Sequence, residues 1–144
     1  MKLPETSEDV QTEILISSDK ARELGDLRIR QLIKILPKVD SEVIIEGVIK
    51  VFETEGRPDK YQDQEFAGRV LRTIKPKSQK DLKDFLKRTL DNWDKSVEEL
   101  PFWFRDNYGL DKVKDTFDEI ELTENQKDKL KTMKFWLQLK AASA

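Results

Sequence analysis

Residues 19–56 read DKARELGDLRIRQLIKILPKVDSEVIIEGVIKVFETEG, and this stretch decides the fold. Apolar residues recur at helical spacing on both sides of Pro37, which ends the first helix because its ring and missing N–H forbid continuation. Asp40 or Ser41 caps a second helix, and Gly56 supplies its left-handed stop. The stretch therefore predicts a helical hairpin. Both apolar faces are wider than one partner helix can cover, so further helices should pack on the pair.

Helical patterns continue before and after the hairpin. A short helix is expected after the capping-box pair Thr6 and Asp9, with a break at residues 17–19. After a polar loop at residues 57–62, an apolar stripe with steps of three and four predicts a helix that ends before Pro76. No segment alternates polar and apolar residues with the two-residue period of a strand, so no sheet is predicted.

Further helices are expected in the second half of the chain. Ser78 and Asp81 have capping-box spacing and should open one of them. Pro101 predicts either a kink or a short helix that restarts with this residue in its first turn, and Gly109 predicts the end of that helix. In total the sequence predicts one all-α domain over residues 1–144, with six or seven helices.

The hairpin also carries a family resemblance. Its residues include ELGDLR at 23–28, followed by Leu32, Ile33, Leu36, Asp40, Val43 and Val48. This pattern resembles a HEAT-like (armadillo-type) α-helical repeat, and the resemblance covers about one repeat, from Asp19 to Gly56. In that family such helix pairs stack into a right-handed solenoid that holds another macromolecule. The resemblance implies a short right-handed α–α superhelix, and an irregular helical bundle is the alternative.

Composition limits the chemistry that the chain can perform. It has no cysteine, which excludes disulfides and thiolate sites, and no histidine, the commonest metal ligand and general base. It has neither a glycine-rich phosphate loop nor a Gly-x-Ser-x-Gly segment. We therefore expect no enzymatic activity, no cofactor and no metal. Because no apolar run approaches the roughly 20 residues of a membrane span and no signal peptide is visible, a cytoplasmic protein without membrane contact is expected.

Charge is sorted along the chain. Residues 57–90 carry ten basic and five acidic side chains, whereas residues 91–124 carry four basic and eleven acidic ones. The basic stretch 69–88 could dock a phosphate backbone through several simultaneous ion contacts, or it could simply be a solvated helix face. Its candidate nucleic-acid contacts are Arg69, Arg72, Lys75, Lys83, Lys87 and Arg88.

Aromatic residues concentrate late in the chain. Residues 102–104 read Phe-Trp-Phe and span about 200° of a helix, so they cannot all face one core. An exposed Trp103 beside Arg105 and Tyr108 would suit a protein-binding hot spot. The alternative is that the last helix covers these rings.

An acidic segment follows the aromatic one. Asp111 and Asp115 begin a run of carboxylates without the glycine-turned loop of a calcium site, so it is either a solvated face or a surface for a basic partner. We predict a non-catalytic protein-interaction module, with nucleic-acid binding through residues 69–88 as the alternative. The candidate partner contacts are Trp103, Arg105, Tyr108, Asp111 and Asp115.

Overall fold

The computed structural model describes residues 1–139. In chain order its elements are α1 (Ser7–Asp19), α2 (Ala21–Leu24), α3 (Leu27–Ile35), a 3₁₀ turn (Leu36–Lys38), α4 (Ser41–Glu53), α5 (Lys60–Ile74), α6 (Leu82–Thr89), α7 (Glu99–Tyr108), α8 (Leu110–Glu119) and α9 (Glu124–Trp136). No strand occurs within these residues, and the all-α prediction is confirmed. Over the same residues the helices number nine rather than six or seven.

The predicted hairpin contains one more break than expected. α1 continues through Asp19, so the break predicted at residues 17–19 falls after Asp19 instead. The chain then reverses at Gly25, whose φ of +59° favours glycine, and this separates α2 from α3. Pro37 lies in the 3₁₀ turn that ends α3, as its fixed geometry requires. The Asp40 side chain accepts a 2.8 Å hydrogen bond from the Glu42 N–H, which confirms the predicted cap of α4.

α1 packs directly on α4. Thr6 and Asp9 form the predicted capping box at the start of α1, which fixes where the helix begins. At the contact with α4, a Cβ added to Gly47 would lie 2.5 Å from the Val10 Cβ and 2.8 Å from the Ser7 backbone oxygen. The missing side chain therefore allows the two helices to approach closely.

Several predicted boundaries in the middle of the chain are wrong by a few residues. α4 ends at Glu53, so Gly56 lies beyond its cap, although its φ of +75° is left-handed. α5 starts at Lys60 because the Asp59 carboxylate accepts from the Gln62 N–H, which shortens the predicted loop. α6 starts at Leu82, because Asp81 and not Ser78 supplies the cap.

In the second half of the chain, the helices begin and end closer to the predicted residues. Pro101 lies in the first turn of α7, which confirms the restart rather than the kink. Gly109, with a φ of +88°, ends α7 and lets α8 begin at the next residue. Thr123 and Gln126 form a capping box at the start of α9.

One cluster of buried apolar side chains runs through the described part of the chain. α4 and α5 lie at its centre, with α1 and α6 packed on α4 and with α7 packed on α5. α8 contacts α6 and α7, and α9 contacts α7. The largest fully buried side chains in this core are Trp93, Phe52, Phe66, Phe85 and Phe104. The arrangement places α5 and α7 side by side, which forms the site described below.

The connector between α5 and α6 (residues 75–81) is held by side chains from two other helices. Ser78 exchanges two hydrogen bonds with the amide of Asn107, at 3.0 Å each. Glu42 on α4 accepts from the Ser78 hydroxyl at 3.1 Å and from the Gln79 N–H at 3.0 Å. These contacts fix the connector against α4 and α7.

Within residues 1–139, no helix combines the length and the apolar character needed to cross a membrane.

Candidate functional site

A cleft of about 430 Å³ lies between α5, the first residues of the connector and α7. Its lining combines an apolar floor with charged side chains of both signs. The lining residues are Leu71, Arg72, Lys75, Lys77, Glu98, Glu99, Phe102, Trp103, Arg105, Asp106 and Asn107. The cleft therefore joins residues from both predicted sites, the basic stretch and the aromatic segment.

The floor of the cleft is formed by Leu71, Phe102 and Trp103. Leu71 and Trp103 are buried, whereas Phe102 is half-buried and presents part of its ring. The Arg105 guanidinium lies 4.9 Å from the centre of the Phe102 ring, a cation–π distance. Of the three consecutive aromatic residues, Phe102 is therefore the one that reaches the surface.

The structure corrects the expectation that Trp103 is exposed. Its side chain is only 5% exposed and packs against the rings of Phe85, Phe104 and Tyr108. The indole Nε1–H donates a 2.8 Å hydrogen bond to the Pro76 backbone oxygen. A tryptophan in this position supports the connector and the cleft floor, and it cannot act as a protruding anchor for a partner.

Tyr108 also faces inward. Its hydroxyl donates a 2.7 Å hydrogen bond to the Lys80 backbone oxygen, and burial raises the pKa of the phenol to about 12. Phe135 on α9 is 72% exposed and so does not take part in covering this aromatic group. Phe85 of α6 and the Pro76 and Lys80 backbone oxygens of the connector contact Trp103 and Tyr108.

The six predicted nucleic-acid contacts do not form one free surface. Arg69 is paired with Glu65 at 2.8 Å and with Asp26 at 2.9 Å. Arg88 is paired with Glu46 and Glu53, both at 2.6 Å. These carboxylates raise the pKa of both guanidinium groups. The charge of these two arginines is thus neutralised locally.

The other four of these residues divide between two places. Arg72 and Lys75 line the cleft, are exposed, and form no ion pair within residues 1–139. Lys83 and Lys87 lie on α6, where the Lys83 Nζ is 3.8 Å from a Glu119 carboxylate oxygen. The cleft therefore gathers the end of the basic stretch, joined by Lys77 from the connector.

Glu99 is a half-buried carboxyl in the wall of the cleft. It packs against Gly68 of α5, where an added Cβ would lie 2.9 Å from the Glu99 Cβ. Burial is the main cause that raises its pKa, and the nearby Glu98 and Glu65 raise it further, while the positive charge of Arg72 lowers it. Glycine in the middle of α5 thus makes room for a carboxyl that is poorly solvated.

The remaining predicted partner contacts lie at different distances from this cleft. Arg105 lines it and is paired with Asp106 at 3.1 Å. Asp111 and Asp115 are exposed on α8 and are not part of its lining. Within the described residues, no group of three or more carboxylates is arranged to hold a metal ion. The structure therefore separates the aromatic and acidic halves of the predicted surface.

The candidate contacts predicted from the sequence did not include several lining residues, namely Leu71, Lys77, Glu98, Glu99, Phe102 and Asn107. The sequence did contain one signal of this contact, Gly68, because a glycine inside a helical pattern often marks a place where another element approaches the helix closely. Its partner across the contact could not be read from spacing, because Glu99 lies 31 residues further along the chain.

Comparison with known proteins returned no match to a family model, to a curated protein or to a solved structure.

Proposed function

We propose that this chain is a non-catalytic protein-interaction module and that the α5–α7 cleft is its docking surface. The observation that carries the proposal is the combination of an apolar floor with exposed cations that form no ion pair within residues 1–139. Arg72 and Lys75 are such cations, and they lie beside Phe102. Partly apolar, partly charged concave surfaces of this kind suit the binding of another polypeptide.

The cleft lining also favours binding over catalysis. It contains no hydroxyl, thiol or imidazole group, so a serine, threonine or cysteine nucleophile activated by histidine cannot be assembled from it. Glu99 has a raised pKa, but its carboxyl contacts Gly68 and is positioned by packing. The chain as a whole lacks cysteine and histidine.

Nucleic-acid binding through residues 69–88 is less well supported by the geometry. Two of the six predicted contacts, Arg69 and Arg88, are each held by two carboxylates, and breaking those pairs would offset the gain from phosphate contacts. Glu98 and Glu99 in the cleft wall would also repel a phosphate backbone.

Site-specific photo-crosslinking in nuclease-treated native extract tests the proposal. A benzophenone amino acid replaces Asp106 at the cleft, and in a matched control it replaces Glu23, an exposed acidic residue on α2. We expect discrete protein adducts from position 106 that are absent from position 23. The adducts should disappear when Arg72 and Lys75 are changed to Glu. Identical adducts from both positions, or adducts that survive the double change, would refute the proposal.

A further inference from the structure

The charges in the cleft are segregated along its length. Glu98 and Glu99 lie at the start of α7, whereas Arg105 lies six residues after Glu99, about 9 Å further along the helix axis. Lys77 of the connector lies at this second end, where its Nζ is 3.5 Å from the Asp106 backbone oxygen, and Lys75 immediately precedes Pro76, whose backbone oxygen accepts from the Trp103 indole. Arg72 offsets part of the negative charge beside Glu99, and Asp106 offsets part of the positive charge beside Arg105, so the cleft has a net acidic end and a net basic end.

The basic end retains most of its positive charge. Lys75 forms no ion pair within the described residues, and the Lys77 Nζ contacts only the Asp106 backbone oxygen, at 3.5 Å. Arg105 shares its charge with the exposed carboxylate of Asp106. By contrast, Arg69, earlier in the same basic stretch, is fully engaged by two carboxylates. The positive charge at the cleft is thus left for an external anion.

The backbone at Lys75 supports this interpretation. Its φ of +52° and ψ of +52° place it in the left-handed region, immediately before Pro76. A glycine would adopt this conformation without the strain that a lysine side chain adds. An exposed lysine of the cleft lining therefore occupies a position where a helix cap alone would favour glycine.

The apolar floor of the cleft favours a ligand that carries an apolar group as well as an anionic one. Phe102 presents a half-buried ring beside the buried Leu71 and Trp103, and the volume of about 430 Å³ accepts only a few side chains. A phosphate backbone would meet this apolar surface and the acidic end, and would gain little from either. A short peptide can place a bulky apolar side chain on the floor and direct a carboxylate to the basic end.

We propose that the cleft binds a short segment of a partner protein in which an aromatic or large aliphatic residue stands next to aspartate or glutamate. This inference rests on the proposed function of the cleft as a protein-docking surface. The apolar side chain covers Phe102, and the acidic side chain lies between Lys75 and Arg105. Glu98 and Glu99 set the direction of the peptide, because they disfavour a carboxylate at their end.

Selection from a displayed library of random ten-residue peptides on the immobilised full chain tests the inference. Individual selected peptides, labelled with fluorescein, are then titrated by fluorescence polarisation. The test variant carries Arg72→Glu and Lys75→Glu. The matched control carries Lys20→Glu and Arg22→Glu, which make the same change of charge at exposed residues near α2. Circular dichroism melting confirms that both variants fold.

We expect the selected peptides to be enriched in acidic residues beside Trp, Phe or Leu. Their affinity should fall at least tenfold for the cleft variant and less than twofold for the control. Replacing the acidic residues of a selected peptide by Asn and Gln should cause a similar loss with the unaltered protein, which tests the charge contact even if the cleft variant is unstable.

Other outcomes separate the two proposals. Peptides that lose affinity for the cleft variant but are neutral or basic would overturn the ligand class and leave the docking function standing. If every selected peptide binds the cleft variant as tightly as the unaltered protein, both proposals are overturned. Labelled duplex DNA or RNA that binds more tightly than any selected peptide, in a manner dependent on Arg72 and Lys75, would assign the cleft to nucleic acid and overturn both as well.

Discussion

Changing Trp103 to Phe should destabilise the protein strongly, because the indole supports the connector from inside. The substitution leaves the Pro76 backbone oxygen without its 2.8 Å donor, in a position where Trp103 is only 5% exposed. An unsatisfied buried acceptor costs about 1–3 kcal/mol. The smaller ring also leaves a cavity of roughly 40 Å³, which at about 24 cal/mol per Å³ adds about 1 kcal/mol.

The expected loss in the free energy of unfolding is therefore about 2–4 kcal/mol, or a melting temperature lower by about 10 °C. Urea denaturation followed by circular dichroism at 222 nm measures it without depending on tryptophan fluorescence. The matched control is Trp136→Phe. The Trp136 Nε1–H also donates a 2.8 Å hydrogen bond, to the Lys95 backbone oxygen, but that pair is exposed.

Water can replace the lost donor at Lys95, so the control substitution should cost less than about 1 kcal/mol. Equal losses from Trp103→Phe and Trp136→Phe would refute the structural role of Trp103. A small loss for Trp103→Phe, together with reduced binding of a cleft ligand, would restore the view of Trp103 as a contact residue.

Three more substitutions have measurable outcomes. Gly47→Ala should lower the free energy of unfolding by about 1–2 kcal/mol in urea, because the clash with Val10 outweighs about 1 kcal/mol of helix propensity. Asp63→Asn should lower it by about 2–3 kcal/mol, because it removes the buried partner of Arg57, 2.9 Å away. Glu99→Gln should be more stable than the wild type at pH 7 but not at pH 4, as measured by urea denaturation at both pH values.

The sign of the Glu99 effect follows from its raised pKa. Below the ordinary glutamate value of 4.5 the carboxyl is protonated in both states, so its burial costs little. As pH rises through the raised folded pKa, the folded state has to accommodate a poorly solvated charge and loses stability, which Gln avoids. A stability difference that stays constant between pH 4 and pH 7 would contradict this account.

The other two predictions have their own controls. Asp19 also contacts Arg57, at 2.6 Å, but its side chain is 54% exposed, so Asp19→Asn should cost less than about 1 kcal/mol. Gly47→Ala with unchanged or increased stability would show that α1 and α4 can separate without loss.

The local features of the fold could be predicted because they depend on neighbouring residues. The caps at Thr6, Asp40 and Thr123 each bond to a backbone N–H two or three residues away, and Pro101 and Gly109 act on their own backbone. The cap predicted at Ser78 was wrong for a reason that spacing cannot show. Its hydroxyl donates to Glu42, which lies 36 residues earlier.

The site was harder to predict because its determinants are distant in sequence. Arg69 and Asp26 are 43 residues apart, and Arg88 and Glu46 are 42 apart, so of these ion pairs only Glu65–Arg69, at a spacing of four residues, could be read from the sequence. The partner of the Trp103 indole lies 27 residues away. The resemblance of residues 19–56 to a HEAT-like repeat stays a prediction.

The hydrogen bonds that hold the connector (residues 75–81) against α4 and α7 affect the association and dissociation rates of any ligand of the cleft. Opening the cleft would require the Ser78–Asn107 pair and the Trp103–Pro76 bond to break together, so its two walls keep their spacing when no ligand is present. If the cleft binds a peptide as proposed, the peptide enters a site that is already assembled, and the ordering cost falls mainly on the peptide. Sequence differences among ligands will therefore alter how long each complex lasts far more than how quickly it forms.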